Sequence, residues 1–287
     1  MNVPSYYTPN SELVLDLKEG GRLKVKVVKV FTPFLRCQVS LVKVTEDLAD
    51  LPSTFIIKTF DPRFDGVRFM HEGADENPWS REAEAEAEAL RRRGTPRRPQ
   101  RDYELPEDDD VVAWEQFCYE RMDCAYSVEV EAYQRLRSLQ GVHIPTFYGE
   151  AKLLTTDVKR AIIPRALLVQ YIPNLLPIDK ISKDLITPTL AKSFLNLLKT
   201  FHAHGVIQNN VNGAHANLVV SRSETGETRA FVVYFGSAVV RGDETEEEWW
   251  NIVFHLADTK FTLRQLKKCL GTEDMQSFIG EPIEEYA

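Results

Sequence analysis

The sequence predicts an α+β fold in two lobes, on three observations. Period-two strands crowd the first sixty residues, the strongest helical pattern lies beyond residue 187, and a short hairpin at 218–233 is followed by a helical end. The order is strands, helix, strands, helix, hairpin, helices, which is an α+β arrangement rather than alternating βαβ units.

Each element has a local cause. Lys24-Val25-Lys26-Val27 and Cys37-Gln38-Val39-Ser40-Leu41-Val42-Lys43-Val44 alternate as half-buried strands do, with Thr32-Pro33 as the turn between them. Thr54–Thr59 is a third strand, and the three read as an antiparallel sheet. Arg81–Arg93 alternates Glu and Ala, poor strand formers and good helix formers, so helix is predicted. Glu88 and Arg92 form an i,i+4 pair worth about 0.3–0.5 kcal/mol. Gly94–Asp110 carries three prolines, a basic cluster (Arg97, Arg98, Arg101) and the acidic run Glu107–Asp110, which reads as a solvated, mobile loop.

Further on, Val128–Leu139 is a helix ended by Gly141. Ala161–Ile172 suits buried strands. Thr187-Pro188 opens a helix with Leu190, Phe194, Leu197, Leu198 and Phe201 on one face, closed by His204-Gly205. Leu218–Val220 and Phe231–Val233 form the hairpin. Glu244–Leu270 is helical, with Trp249 and Trp250 expected to anchor it.

The 287 residues suit one large or two-lobed domain, and 43% hydrophobic content can fill a core. A net charge of −8 disfavours nucleic acid or an anionic membrane as partner. Four cysteines without zinc spacing predict free thiols and no metal site, and His202, His204 and His215 read as structural. No apolar leader and no run of about 18 apolar residues is present, so a cytoplasmic or nuclear protein is expected.

Three segments resemble the protein kinase superfamily. Phe55-Ile56-Ile57-Lys58 resembles the V-A-I-K strand, His204–Asn210 the catalytic-loop pattern H-G-V-x-H-G-D, and Tyr234-Phe235-Gly236-Ser237-Ala238 the D-F-G-S-A segment. The chain is most similar to kinase-like domains of filamentous fungi. Their Lys-x-aromatic-Asp-x-Arg-Phe strand end matches Lys58–Phe64, their Pro-Trp element matches Pro78-Trp79, and their Glu-x-x-Ala-Tyr segment matches Glu129–Gly149. These matches cover residues 20 to 260. They imply a kinase-like fold: an N-terminal extension at 1–19, an N-lobe at 20–172 with a charged insertion at about 70–112, and a reduced C-lobe at 173–287. Only 51 residues follow Gly236, and no A-P-E motif is recognisable.

The resemblance also implies roles. Lys58 would hold nucleotide phosphates, with Glu129, or Glu131, as its helix partner. Gln170 and Ile172 would lie at the hinge, and Asn217, Phe235 and Gly236 would complete a cofactor site. No glycine lies between Gly21 and Gly66, so the glycine-rich phosphate loop is missing. Asn210 stands at the catalytic aspartate if His204-Gly205 sets the register, and Asn212 if Asn217 is counted as the metal-binding asparagine. A further alternative puts His215 at the asparagine position. Either register puts an amide where a base is needed. Tyr234 replaces the D-F-G aspartate, which in kinases binds magnesium. The expectation is a pseudokinase-like binding or regulatory protein with a protein partner, and any ATP bound without magnesium. The alternative is an atypical phosphotransferase using Lys58, Glu129 and Asn217. A third reading makes the charged segment Arg91–Asp110 a docking module.

Overall fold

A computed structural model of the chain describes residues 7–32, 36–45, 51–69, 78–94, 105–154, 160–211, 217–222, 226–280 and 282. The chain divides into two compact units, Met1–Ser127 with Phe147–Tyr171, and Val128–Thr146 with Ile172–Ala287. The boundary therefore differs from the expected break at 172, because residues 128–146 belong to the second unit. His143 shows why: its carbonyl accepts from Val232 N–H at 2.9 Å, and its ring Nδ1 lies 3.1 Å from the Ala230 carbonyl.

The first unit is built on six strands: β1 (Glu12–Leu17), β2 (Arg22–Phe31), β3 (Gln38–Val44), β4 (Thr54–Phe60), β5 (Phe147–Leu154) and β6 (Arg165–Val169). They pair antiparallel in the order β1-β2-β3-β4-β6-β5, and β1 pairs with β5, so the expected sheet is a closed barrel. Glu12–Leu17 is thus not an extension but the strand that closes the barrel. Closure removes both sheet edges. Leu13, Leu15, Leu23, Val25, Val27, Val42, Phe55, Ile57, Leu153 and Leu168 fill the interior. The alternation seen at Lys24–Val27 is this inward and outward pattern. It breaks at a bulge between Val27 and Lys29.

Two helices belong to the span expected to hold the charged insertion and the helix after it. α1 (Arg81–Arg92) starts at Ser80, whose side chain accepts from Ala83 N–H. Ala83, Glu84 and Ala87 are buried, so this helix is packed rather than solvated. α2 (Val111–Arg135) is 25 residues long, where only its last part was expected as helix. Trp114, Cys118, Met122, Ala125, Glu129 and Tyr133 recur at three- and four-residue steps and are all buried. Residues 95–104, which hold Arg97, Arg98 and Arg101, lie outside the described residues.

A buried ion network joins the strand-end and Pro-Trp motifs. The Arg160 guanidinium donates to Asp61 Oδ1 at 2.9 Å and to both oxygens of Glu84. Arg63 forks onto the same Asp61, with Nη2 to Oδ2 at 2.6 Å. Trp79 donates its indole N–H to Glu84 at 2.9 Å, and its ring lies 5.5 Å from both guanidinium carbons. Two acids and two bases balance, so four charges are buried without a net charge. Beside them Arg68 pairs with Glu115 at 2.7 Å and Arg121 with Asp65 at 3.0 Å.

The second unit centres on α3 (Pro188–Ala203), with Thr187 as its N-cap and Pro188 in its first turn, as expected. A three-stranded sheet holds β7 (Leu176–Pro177), β9 (Leu218–Arg222) and β10 (Thr228–Val232), and β9–β10 is the expected hairpin. β8 (Val206–Ile207) pairs with β11 (Val239–Val240). α4 (Glu246–Leu256), α5 (Asp258–Leu270) and α6 (Met275–Ile279) follow. The helical stretch expected over Glu244–Leu270 is broken at Ala257, which sits in the left-handed region at φ 54°. Trp249 is buried and donates to the His202 carbonyl at 2.9 Å, whereas Trp250 is 43% exposed and anchors nothing inward.

Candidate functional site

The site is assembled where α3 ends. Gly205, at φ 73°, turns the chain out of the helix, and a Cβ there would stand 2.7 Å from an Arg135 nitrogen. β8 then aligns Gln208, Asn209 and Asn210, while β11 on the same small sheet aligns the segment Tyr234–Ser237.

Asp258, the first residue of α5, fixes the loop. Its Oδ2 accepts from Gln208 N–H at 2.7 Å, and Oδ1 accepts from Asn209 N–H at 3.1 Å. It is 1% exposed, and His202 Nε2 lies 3.8 Å from Oδ2. Both carboxylate oxygens are thus occupied by backbone N–H groups of the loop. Gln208 carries the order further: its amide nitrogen donates to the Tyr234 carbonyl at 2.9 Å, and its amide oxygen accepts from Asn210 N–H at 2.8 Å. Asn209, at φ 55°, donates from its side chain to the Ser237 carbonyl at 3.1 Å. Asn is among the few residues tolerating that backbone region.

The expected site residues fall as follows. Asn210, Asn217, Tyr234, Phe235 and Gly236 are brought together. Asn217 donates its side-chain amide to the Asn210 carbonyl at 3.2 Å. The Tyr234 hydroxyl lies 3.2 Å from Ser237 Oγ. Its ring lies over Gly236, where a Cβ would come within 2.9 Å of it. Phe235 is fully buried, edge-on to Tyr133 at 5.5 Å and Phe201 at 5.6 Å. Asn212 and His215 lie outside the described residues.

Lys58 and Gln170 belong to the first unit, Glu129 and Ile172 to the second. Lys58 is 5% exposed on β4, pairs with Val39 and Leu167, and alternates with Phe55 and Ile57 of the barrel core, so it faces outward with Ile56 and Phe60. Phe60 packs edge-on to Tyr126 of α2 at 5.4 Å. Glu129, on α2, is fully buried. Gln170 and Ile172 follow β6 and are half-buried.

Asp258 and Gln208 were not singled out from the sequence. Gln208 was legible as a departure from the second His of H-G-V-x-H-G-D. Asp258 lies 50 residues from its partner, and no spacing rule reaches it.

Among the described residues the loop offers magnesium a poor set of ligands. The two positions where the resemblance implies aspartates present an amide and a phenol, and the Asp258 carboxylate is occupied. Among the described residues no group of three or more His, Cys, Asp or Glu is placed to hold a metal ion, and no helix is long and apolar enough to cross a membrane.

Solved kinase domains share similarity with this chain. The ROP18 kinase domain, solved in complex with AMP-PNP and sucrose, matches 84% of this chain at 11% identity and a TM-score of 0.44. The BubR1 kinase domain matches 86% at 10% identity and a TM-score of 0.45. A rhoptry kinase from Toxoplasma gondii matches 82% at 11% identity and a TM-score of 0.40. The chain spans 60%, 55% and 52% of the length of these three. No family model and no curated protein matches the sequence.

Proposed function

We propose that this chain is a kinase-like binding protein of the pseudokinase type, with a reduced C-terminal lobe, acting on a protein partner rather than transferring phosphate. One observation carries the reading: the loop at Gln208–Asn210 and the segment at Tyr234–Ser237 are joined by side-chain amides that donate to backbone carbonyls. The carboxylate in that network, Asp258, is held to backbone N–H groups.

The chemistry follows from the groups present. Phosphoryl transfer needs a carboxylate to orient and deprotonate the acceptor hydroxyl and a metal to neutralise the phosphates. An Asn amide accepts no proton near neutral pH, so Asn210 cannot be that base. Tyr234 would have to ionise to bind magnesium well. What remains is an ordered polar surface able to hydrogen-bond a ligand. The fungal origin suggested by the motifs, and a cytoplasmic or nuclear setting, belong to the same proposal.

The test pairs thermal shift by ATP, with and without magnesium, with transfer of radiolabelled γ-phosphate to the protein itself and to generic acceptors. Neither a magnesium-dependent shift nor transfer is expected. Transfer that disappears in Lys58→Ala would overturn the reading and restore the phosphotransferase.

A further inference from the structure

We propose that the outer face of α4 and α5 is a homodimer contact, two copies meeting antiparallel about a twofold axis close to Phe254. The proposal is independent of the site above. It rests on exposed aromatic side chains and on the order of charges around them.

α4 is poorly covered. Among its residues only Trp249 is buried, while Trp250 is 43% and Phe254 60% exposed. They stand four residues apart, on one stripe of the helix with Glu247 and Asn251, which are also exposed. Their rings are held in place. Trp250 Nε1 donates to Glu246 Oε1 at 2.7 Å, and Lys260 Nζ sits 4.3 Å from the Phe254 ring centre. An exposed, pre-ordered aromatic pair is the usual centre of a contact surface.

Charge runs in one direction along this face. At the start of α4 stand Glu246, Glu247 and Glu248, of which Glu246 is paired to Arg241 at 2.6 Å and Glu248 closes the capping box with Thr245. Beyond Phe254, Lys260, Arg264, Lys267 and Lys268 line one shallow concavity of α5, with Leu263 and Glu273. Of these bases Lys267 is paired, to Glu273 at 3.1 Å. The sequence acid, aromatic, base is complementary to itself when reversed. A twofold contact demands that property, because each patch meets its own copy. Turned about an axis near Phe254, the acidic end of one copy faces the basic end of the other, and the aromatic pairs stack at the centre. The whole-chain charge of −8 opposes association at long range, and at physiological salt that repulsion is screened beyond about 8 Å.

The experiment uses the full chain and sedimentation velocity over a hundredfold concentration range at physiological salt. A concentration-dependent dimer is expected. Trp250→Ala with Phe254→Ala should weaken dimerisation at least about tenfold. Two charge variants follow, Glu247→Lys with Asn251→Lys, and Arg264→Glu with Lys268→Glu. Each alone should dimerise at least about tenfold more weakly, since the first pair removes the attraction between the ends and the second brings like charges together. Mixed together they should form a heterodimer, which a misfolded variant could not do. A monomer at every concentration overturns the proposal, whatever the basic concavity binds. So does a dimer that both charge variants leave intact, or a failure of the mixture to associate.

Discussion

Asp258 is the residue on which the site's order depends. Its two oxygens satisfy the N–H groups of Gln208 and Asn209 in a place with almost no solvent. Asp258→Asn keeps the size and leaves one acceptor, turning an NH2 toward a donor. Loss of about 1–3 kcal/mol is expected from urea unfolding. Gly205 is the second such residue. Its φ of 73° and the 2.7 Å approach of Arg135 leave no place for a Cβ. Gly205→Ala should lower stability by about 1–2 kcal/mol in the same measurement, while Gly226→Ala, whose Cβ position has its nearest neighbour at 3.9 Å, should show only the backbone strain. Neither position could be weighed from the sequence: glycine after a helix is a common stop signal, and the sequence does not show which neighbours crowd it.

At the scale of elements, the Arg160 network ties α1 to the end of β4. The motif residues Asp61, Arg63 and Trp79 were legible as a pattern resembling fungal kinase-like domains, but their purpose was not. Arg160 lies 99 residues from Asp61 and 76 from Glu84, and only the closed barrel puts them in reach. Arg160→Met should destabilise by about 3–5 kcal/mol, because it leaves Asp61 and Glu84 buried with less opposing charge. Arg92→Ala, which removes a 74% exposed partner of Glu88, should change stability by no more than about 0.5 kcal/mol. The network also fixes a pH response. Burial alone would raise the Glu84 carboxyl, but the hydrogen bonds and charge of Arg160, with Trp79 and Ala161 N–H, outweigh it and hold it below its ordinary 4.5. A depressed carboxyl contributes stability above the unfolded value and loses it as pH falls through the folded one. The stability gap between the wild-type chain and Glu84→Gln, from urea midpoints, should therefore be full near neutrality and shrink below about pH 4.5. A gap that widens in acid would refute this assignment. At Asp61 burial prevails and raises the carboxyl despite Arg160, so the comparison must be with the Glu84 variant and not with the wild-type curve alone.

For the whole molecule, the kinase-like reading makes a prediction by reversal. If Asn210 and Tyr234 mark lost aspartates, then Asn210→Asp with Tyr234→Asp should produce a magnesium-dependent thermal shift with ATP that the wild-type chain lacks. A wild-type chain that already shows that shift would count against the pseudokinase reading.

Much of this molecule was written in local pattern. Alternation at Lys24–Val27, the Thr187-Pro188 helix start and the 218–233 hairpin appear where the side-chain period and the capping residues require. Where the resemblance implies two aspartates, the sequence has Tyr234 and either Asn210 or, in the other register, Asn212. Local pattern gave less where partners are distant. Leu13, Leu15 and Leu17 alternate, yet nothing nearby says that β1 pairs with a strand more than 130 residues away to close a barrel. The long α2 carried its own three- and four-residue spacing from Trp114 onward, and could have been read further back than Val128. Composition and period are properties of neighbours along the chain, so the sequence determined the elements. Barrel closure, the burial of Arg160 between two carboxylates and the pinning of the loop by Asp258 join residues far apart in sequence. Only the tertiary structure decided those, because the free energy that orders them is released when distant groups leave water together.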